Sequence, residues 1–144
     1  MLIWLISPEQ TYPLRHAVLW PDKPLDFVKV ENDHEGYHFG AFLPNHETPE
    51  SAPTDVPIAV ISLFMAGSEA RFRKFATYPD WQGRGIGTAL LHHTVAEARR
   101  LGATQIWCDA RLTAADFYRR LGMGAEGDVF YKGPVAYAKF SVML

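Results

Sequence analysis

The sequence predicts an α/β fold: one domain over residues 1–144 with a mixed sheet flanked by helices. Three observations lead there. Strand-like and helix-like segments follow in the order β-α-β-β-β-α-β-α-β-β. One segment, 58–65, is an apolar run broken only by Ser62, as a strand covered on both faces can be. The 144 residues, 48% apolar and 21% charged, suit a single core.

Residues 2–6 form the first expected strand, closed by Ser7-Pro8. In 10–20 the apolar positions Leu14, Val18 and Leu19 fit a short helix after Pro13, and two prolines in 20–27 then break regular structure. Residues 37–43 are a second strand. Residues 44–57 hold four prolines and almost nothing apolar, which reads as a long exposed loop. After the buried strand 58–65, Ala66-Gly67-Ser68 turns the chain into a fourth strand, 69–77. In it Ala70 and Phe72 alternate with Arg71 and Arg73, but Lys74 stands where the next apolar residue belongs and Phe75 takes that role. A β-bulge absorbs such a slip of one residue; a fraying strand end is the other reading.

A second helix follows Gly87, with Leu91, Val95, Ala98 and Leu101 on one stripe, Arg99 and Arg100 in its last turn, and Gly102 as its stop. Residues 104–108 are a fifth strand. Thr113 and Asp116 have capping-box spacing for a short helix ending at Gly122. Phe130-Tyr131 and the alternating 136–142 close a hairpin about Lys132-Gly133-Pro134.

Composition excludes several classes. A net charge of −2 supplies no general field for nucleic acid. One cysteine, Cys108, permits no internal disulfide and fits a reducing compartment; within an apolar strand it reads as an inert core residue. No apolar run approaches the roughly 20 residues that span a bilayer. The opening "MLIWLISPEQ" reads as a strand rather than a signal peptide, so a cytoplasmic protein is expected.

The chemistry concentrates in "WQGRGIGT", 81–88, where Gly83, Gly85 and Gly87 precede a helix. Amides at a helix start lack intrahelical partners and carry partial positive charge, and glycine lets a ligand approach them. That makes an anion site for phosphate or pyrophosphate, or else only a tight turn. A P-loop would need Lys where Thr88 follows Gly87, and the G-x-G-x-x-G fingerprint is absent, so two common nucleotide motifs are excluded.

Gln82-Gly83-Arg84-Gly85-Ile86-Gly87 resembles the Q/R-x-x-G-x-G/A signature of the GNAT superfamily of acyl-CoA N-acyltransferases, and "ADFYRRLGM" resembles its second motif. The resemblance spans nearly the whole chain. It implies a mostly antiparallel sheet of six to seven strands, splayed between strands four and five. It implies an enzyme that moves the acetyl group of acetyl-CoA to a primary amine, small-molecule or peptide, by direct attack in a ternary complex, without a metal. It gives Gln82, Gly83, Arg84, Gly85, Ile86, Gly87 and Thr88 the coenzyme A pyrophosphate, and Phe75, Ala76 and Thr77 the pantetheine. An N–H near Ala76 would polarise the thioester carbonyl, and Tyr118 would act as general acid toward the departing thiolate. A homodimer is common in such proteins.

Two positions depart from the family pattern. Arg111 stands where the family often has Asn, and reads either as a contact to the coenzyme phosphates or a substrate carboxylate or as a solvated loop arginine. Arg71 stands where some members place a basic Glu, which leaves Asp109, acting through water, as the candidate base. A non-catalytic acyl-CoA-binding module of the same fold and an unrelated phosphate-binding protein are the alternatives. Asp33, His34, Glu35 and His38 lack metal-site spacing and read as a turn; His92 and His93 point to different sides of their helix; Trp20, Trp81 and Trp107 read as packing.

Overall fold

The computed structural model describes residues 1–43 and 56–144; most of the expected proline-rich loop lies outside the described residues. Seven strands form one sheet: β1 (Leu2–Ile6), β2 (Tyr37–Phe42), β3 (Ala59–Ala66), β4 (Glu69–Thr77), β5 (Gln105–Arg111), β6 (Gly124–Lys132) and β7 (Val135–Met143). Their order is β1-β2-β3-β4-β5-β7-β6, with β7 inserted between β5 and β6. Every neighbouring pair is antiparallel except β4 with β5. The expected mostly antiparallel mixed sheet is therefore what forms.

Helices α1 (Pro8–Leu14), α2 (Ile86–Arg100) and α3 (Ala115–Arg120) cover the sheet. One face carries α2 and α3 on a core that includes Ile61, Leu63, Phe72, Leu90, Ile106 and Phe140. The other carries α1 on Ile6, Phe42, Val60 and Ala76. Strand alternation makes the division: Val60 and Ile61 are neighbours in sequence and face opposite layers. No described helix is long and apolar enough to cross a membrane.

The phase slip in β4 is a bulge. Val60 pairs with Ala76 while Ser62 pairs with Arg73, so one extra β4 residue is fitted in, and Lys74 takes a left-handed φ of 54°. The extra residue returns Phe75 to the face of Phe72, where its ring packs on the core. β4 and β5 pair only from Glu69 with Gln105 to Arg71 with Trp107. Beyond that point β5 follows β7, paired from Gln105 with Met143 to Arg111 with Tyr137, and the sheet opens.

Local expectations are corrected in three places. The first helix starts at Pro8, not after Pro13, because Ser7 and Gln10 form a reciprocal capping box with proline at the first position. Pro13 lacks an N–H for the ladder, the Arg15 amide is shared between Thr11 and Tyr12 carbonyls, and the chain widens into a π-helical turn, Arg15–Leu19. The capping box at Thr113 does not form: a 3-10 turn, Leu112–Ala114, already runs into α3, so Ala114 occupies the cap without a side-chain bond. Strand β6 begins at Gly124, before the expected hairpin, and bulges between Glu126 and Phe130.

Candidate active site

The glycine run ends β4 and begins α2. Gly83 and Gly85 have φ of 74° and 80°, where a Cβ is unfavourable, and Gly85 is the cap of α2 with no side-chain cap bond. The first intrahelical bond runs from the Ala89 amide to the Gly85 carbonyl, which leaves the Ile86, Gly87 and Thr88 amides ahead of it. A Cβ at Gly87 would lie 3.4 Å from the Phe75 ring, an ordinary van der Waals contact. Gln82 donates from Nε2 to the Thr77 carbonyl at 2.9 Å, so its side chain ties the loop to the end of β4. The Arg84 guanidinium stacks over Trp81, 4.7 Å from the ring centroid. Phe75, Ala76 and Thr77 lead directly into this loop on the strand that parts from β5.

A cavity of about 210 Å³ occupies the opening between β4 and β5. Arg71 to Phe75 form one side and Cys108 to Arg111 the other, with Leu19 and Trp20 above and Lys132 and Tyr137 at the hairpin end. Tyr118 closes the inner wall. Its ring lies among Phe72, Phe117 and Phe140, with centroids 6.0, 5.1 and 5.7 Å away. Its backbone is fixed by the C-terminus of α3, where the Tyr118 carbonyl accepts from Leu121 and Met123 and Gly122 takes φ of 87°. Burial, and then the neighbouring Cys108 sulfur that the phenol faces, raise the Tyr118 pKa, so the hydroxyl keeps its proton throughout the working range. Burial, and then the charge of Asp109, push the Cys108 thiol up to about 12. A thiol so placed is no nucleophile at neutral pH.

The remaining candidates sit in the same cavity but are engaged. Asp109 holds Arg71 at 3.0 Å, and Arg71 also lies over the Trp107 ring at 4.4 Å. Arg111 reaches the Tyr137 hydroxyl at 3.4 Å and lies 5.8 Å from the Trp20 ring centroid. The structure thus gathers Tyr118, Asp109 and Arg111 around one cavity and puts the glycine loop beyond the other end of β4. Arg111 belongs to the cavity group rather than to the loop.

Sequence reasoning missed a polar network on the α1 face. Arg15, fully buried, binds Asp33 through both terminal nitrogens at 2.8 and 3.0 Å, and donates also to the Val28 carbonyl and Ser62 Oγ. His38 lies 2.7 Å from Ser62 through Nδ1 and 2.7 Å from the Asp33 carbonyl through Nε2. A carbonyl only accepts, so Nε2 carries the proton and Nδ1 accepts from the Ser62 hydroxyl. Burial, then the Arg15 charge, pull the His38 pKa down against the carbonyl bond that favours the ion. Asp33, read as part of a turn, is 1% exposed. The signal was present: Thr11, Leu14, Arg15 and Val18 share one helical stripe, and Ser62 interrupts an apolar run.

Residues 3–123 match the model of the acetyltransferase (GNAT) family. The chain belongs to that family. It is 29% identical over 133 residues to the uncharacterized N-acetyltransferase YitI of Bacillus subtilis, covering 87% of this chain and 83% of that protein. Its fold matches a putative N-acetyltransferase from Lactobacillus plantarum with a TM-score of 0.82 at 21% identity, covering 100% and 99% of the two chains. A Bacillus subtilis acetyltransferase in complex with CoA matches with a TM-score of 0.72 at 16% identity, over 99% and 97%. This GNAT protein is an N-acetyltransferase: it moves an acetyl group onto an amine.

Proposed function

We propose that the donor is acetyl-CoA and that the acceptor amine attacks it directly while both are bound. The parting of β4 from β5 carries this reading: it frees a strand edge between the glycine loop and the cavity walled by Tyr118. Acetyl-CoA, when bound, supplies the acyl group as an activated thioester. The amides of Ile86, Gly87 and Thr88, with the space left at Gly83 and Gly85, hold the pyrophosphate. The backbone of Phe75, Ala76 and Thr77 pairs along the pantetheine, and an N–H near Ala76 polarises the thioester carbonyl.

The Tyr118 phenol, kept protonated by burial, gives its proton to the departing thiolate. The Cys108 thiol takes no part, which favours direct transfer over an acyl-enzyme. Asp109 is neutralised by Arg71 and orients that arginine; the amine arrives neutral or releases its proton to water.

Calorimetric titration with acetyl-CoA and with ATP tests the donor site. Acetyl-CoA is expected to bind and ATP to bind poorly, and Gly85→Val to lower the acetyl-CoA affinity at least tenfold. Failure of the folded protein to bind acetyl-CoA overturns the reading. Initial-rate plots are expected to intersect as for a ternary complex; parallel lines overturn direct attack.

A further inference from the structure

The cavity beside Tyr118 is far more cationic than the chain. The protein carries a net charge of −2, yet among the described residues five cations and one carboxylate line this space. Asp109 is committed to Arg71. That leaves Arg73, Lys74, Arg111 and Lys132 around the same space. Among the described residues Arg73 and Lys74 have no ion-pair partner. Lys132 lies over the Tyr137 ring at 4.5 Å, and among the described residues the side chain of Arg111 has the hydroxyl of the same tyrosine at 3.4 Å and the Trp20 ring centroid at 5.8 Å.

Arg73, Lys74 and Arg111 are half-buried and Lys132 is exposed; burial and the neighbouring charges act on Lys74 and Arg73. Burial and then the charges of Arg73, Arg15 and Lys132 lower the Lys74 pKa to about 8. Burial and then Arg71 and Arg15 lower that of Arg73. Like charges brought together out of water destabilise each other unless an anion joins them. A solvated row of arginines on a strand face would show neither effect.

Their position fits the acceptor rather than the donor. A second cleft, about 920 Å³, opens outward past Phe27, Asn32 and His34, with Lys29, Glu31 and Glu35 at its rim. Trp20, Arg73, Lys74 and Lys132 line both spaces, so they form the wall between the solvent approach and the inner cavity. Arg73 lies four residues before Thr77, roughly 13 Å along an extended strand from the start of the glycine loop. The glycine loop proposed for the coenzyme phosphates begins beyond Thr77.

We propose that the acceptor is a small amine bearing an anionic group, a carboxylate or a phosphate, and that Arg73, Lys74, Arg111 and Lys132 bind this group. The inference rests on the acetyltransferase reading above. The arginine forks suit the two oxygens of such an anion, while Trp20 and Phe27, edge to face at 5.2 Å, offer an apolar flank to the rest of the molecule. Polyamines and other multiply charged cations are rejected by the same row of charges.

The test uses matched amines at saturating acetyl-CoA, read by thiol release: phenylalanine against phenethylamine, and O-phosphoethanolamine against ethanolamine, with spermidine as a cationic competitor. The anionic member of at least one pair is expected to have a kcat/KM at least tenfold above its partner, and the pair that responds tells carboxylate from phosphate. Arg73→Gln with Lys132→Gln is expected to narrow that ratio mainly through KM, with the acetyl-CoA Kd unchanged. Equal use of both members in both pairs, or preference for spermidine, overturns the proposal. If no panel amine turns over, the tryptophan fluorescence that Trp20→Phe removes, with CoA bound, supplies the readout. A saturable change with the anionic members alone supports the proposal, and none with either overturns it. Acetyl-CoA that fails to bind sinks the enzymatic reading itself. Acetyl-CoA that binds alongside a neutral or cationic preference sinks only this inference.

Discussion

Arg15 and Asp33 form a bidentate ion pair, at 2.8 and 3.0 Å, sealed between the π-helical turn and the sheet. Together with the Arg15 bond to Ser62, it joins the segment that supplies Trp20 to the turn Asp33–Glu35 and to β3. Breaking a buried pair leaves one charge unpaired, which costs about 3–5 kcal/mol. Arg15→Leu is expected to lower unfolding stability by that amount, measured by denaturant titration. Arg15→Met with Asp33→Leu is expected to recover much of the loss, because no charge then stays buried alone.

The same network predicts how stability depends on pH. His38 is held neutral, with a folded pKa below the unfolded value of about 6.5. The unfolded chain therefore takes up a proton first as pH falls. The stabilisation is complete above about pH 6.5 and declines as pH drops below it. Asp33 adds a second loss. Burial alone would raise its pKa, but the bonds from Arg15 and the Val30 amide, and the Arg15 charge, hold it below the usual carboxylate range. Its contribution is lost below about pH 4. Melting temperature against pH should show both slopes, and His38→Gln should flatten the upper one.

The contrast between this network and the glycine loop shows what the sequence could reveal. The bulge was legible because a phase slip between Phe72 and Phe75 is written along one strand. The anion loop was legible because its glycines, its strand and its helix are contiguous. Arg15 and Asp33 lie 18 residues apart and meet only through the tertiary fold. Polar turn residues do not declare that they point inward. The fifth strand was expected to end at Cys108, with Asp109 at its end and Arg111 beyond it; β5 runs on to Arg111, and the partners Arg71 and Tyr137, which decide what the side chains do, come from other strands.

Lys74 is the non-glycine residue at positive φ among the described residues, in the bulge that opens the sheet. A Cβ in that conformation costs roughly 1 kcal/mol relative to glycine. Lys74→Gly and Lys74→Ala remove the same charge and differ only in the backbone. The glycine variant is expected to be more stable than the alanine variant by about 1 kcal/mol in chemical denaturation. Equal stability would mean that the bulge relaxes without strain.

Tyr118 depends on the turn behind it as much as on its ring. Tyr118→Phe keeps the packing against Phe72 and Phe140 and removes only the hydroxyl. Coenzyme affinity is expected to persist while kcat falls by about 10²–10⁴, the usual worth of a positioned acid. Gly122→Ala acts one step away. Gly122 has φ of 87° and sets the turn in which the Met123 amide, at 3.0 Å, binds the Tyr118 carbonyl. Alanine there is expected to cost about 1 kcal/mol of stability and to lower kcat with the acetyl-CoA Kd unchanged. The pattern separates a displaced phenol from a damaged coenzyme site, because the glycine loop proposed for the pyrophosphate lies on the other side of Phe75. A fall in coenzyme affinity that matched the fall in kcat would show that α3 supports the donor site as a whole and that Tyr118 is not its acid.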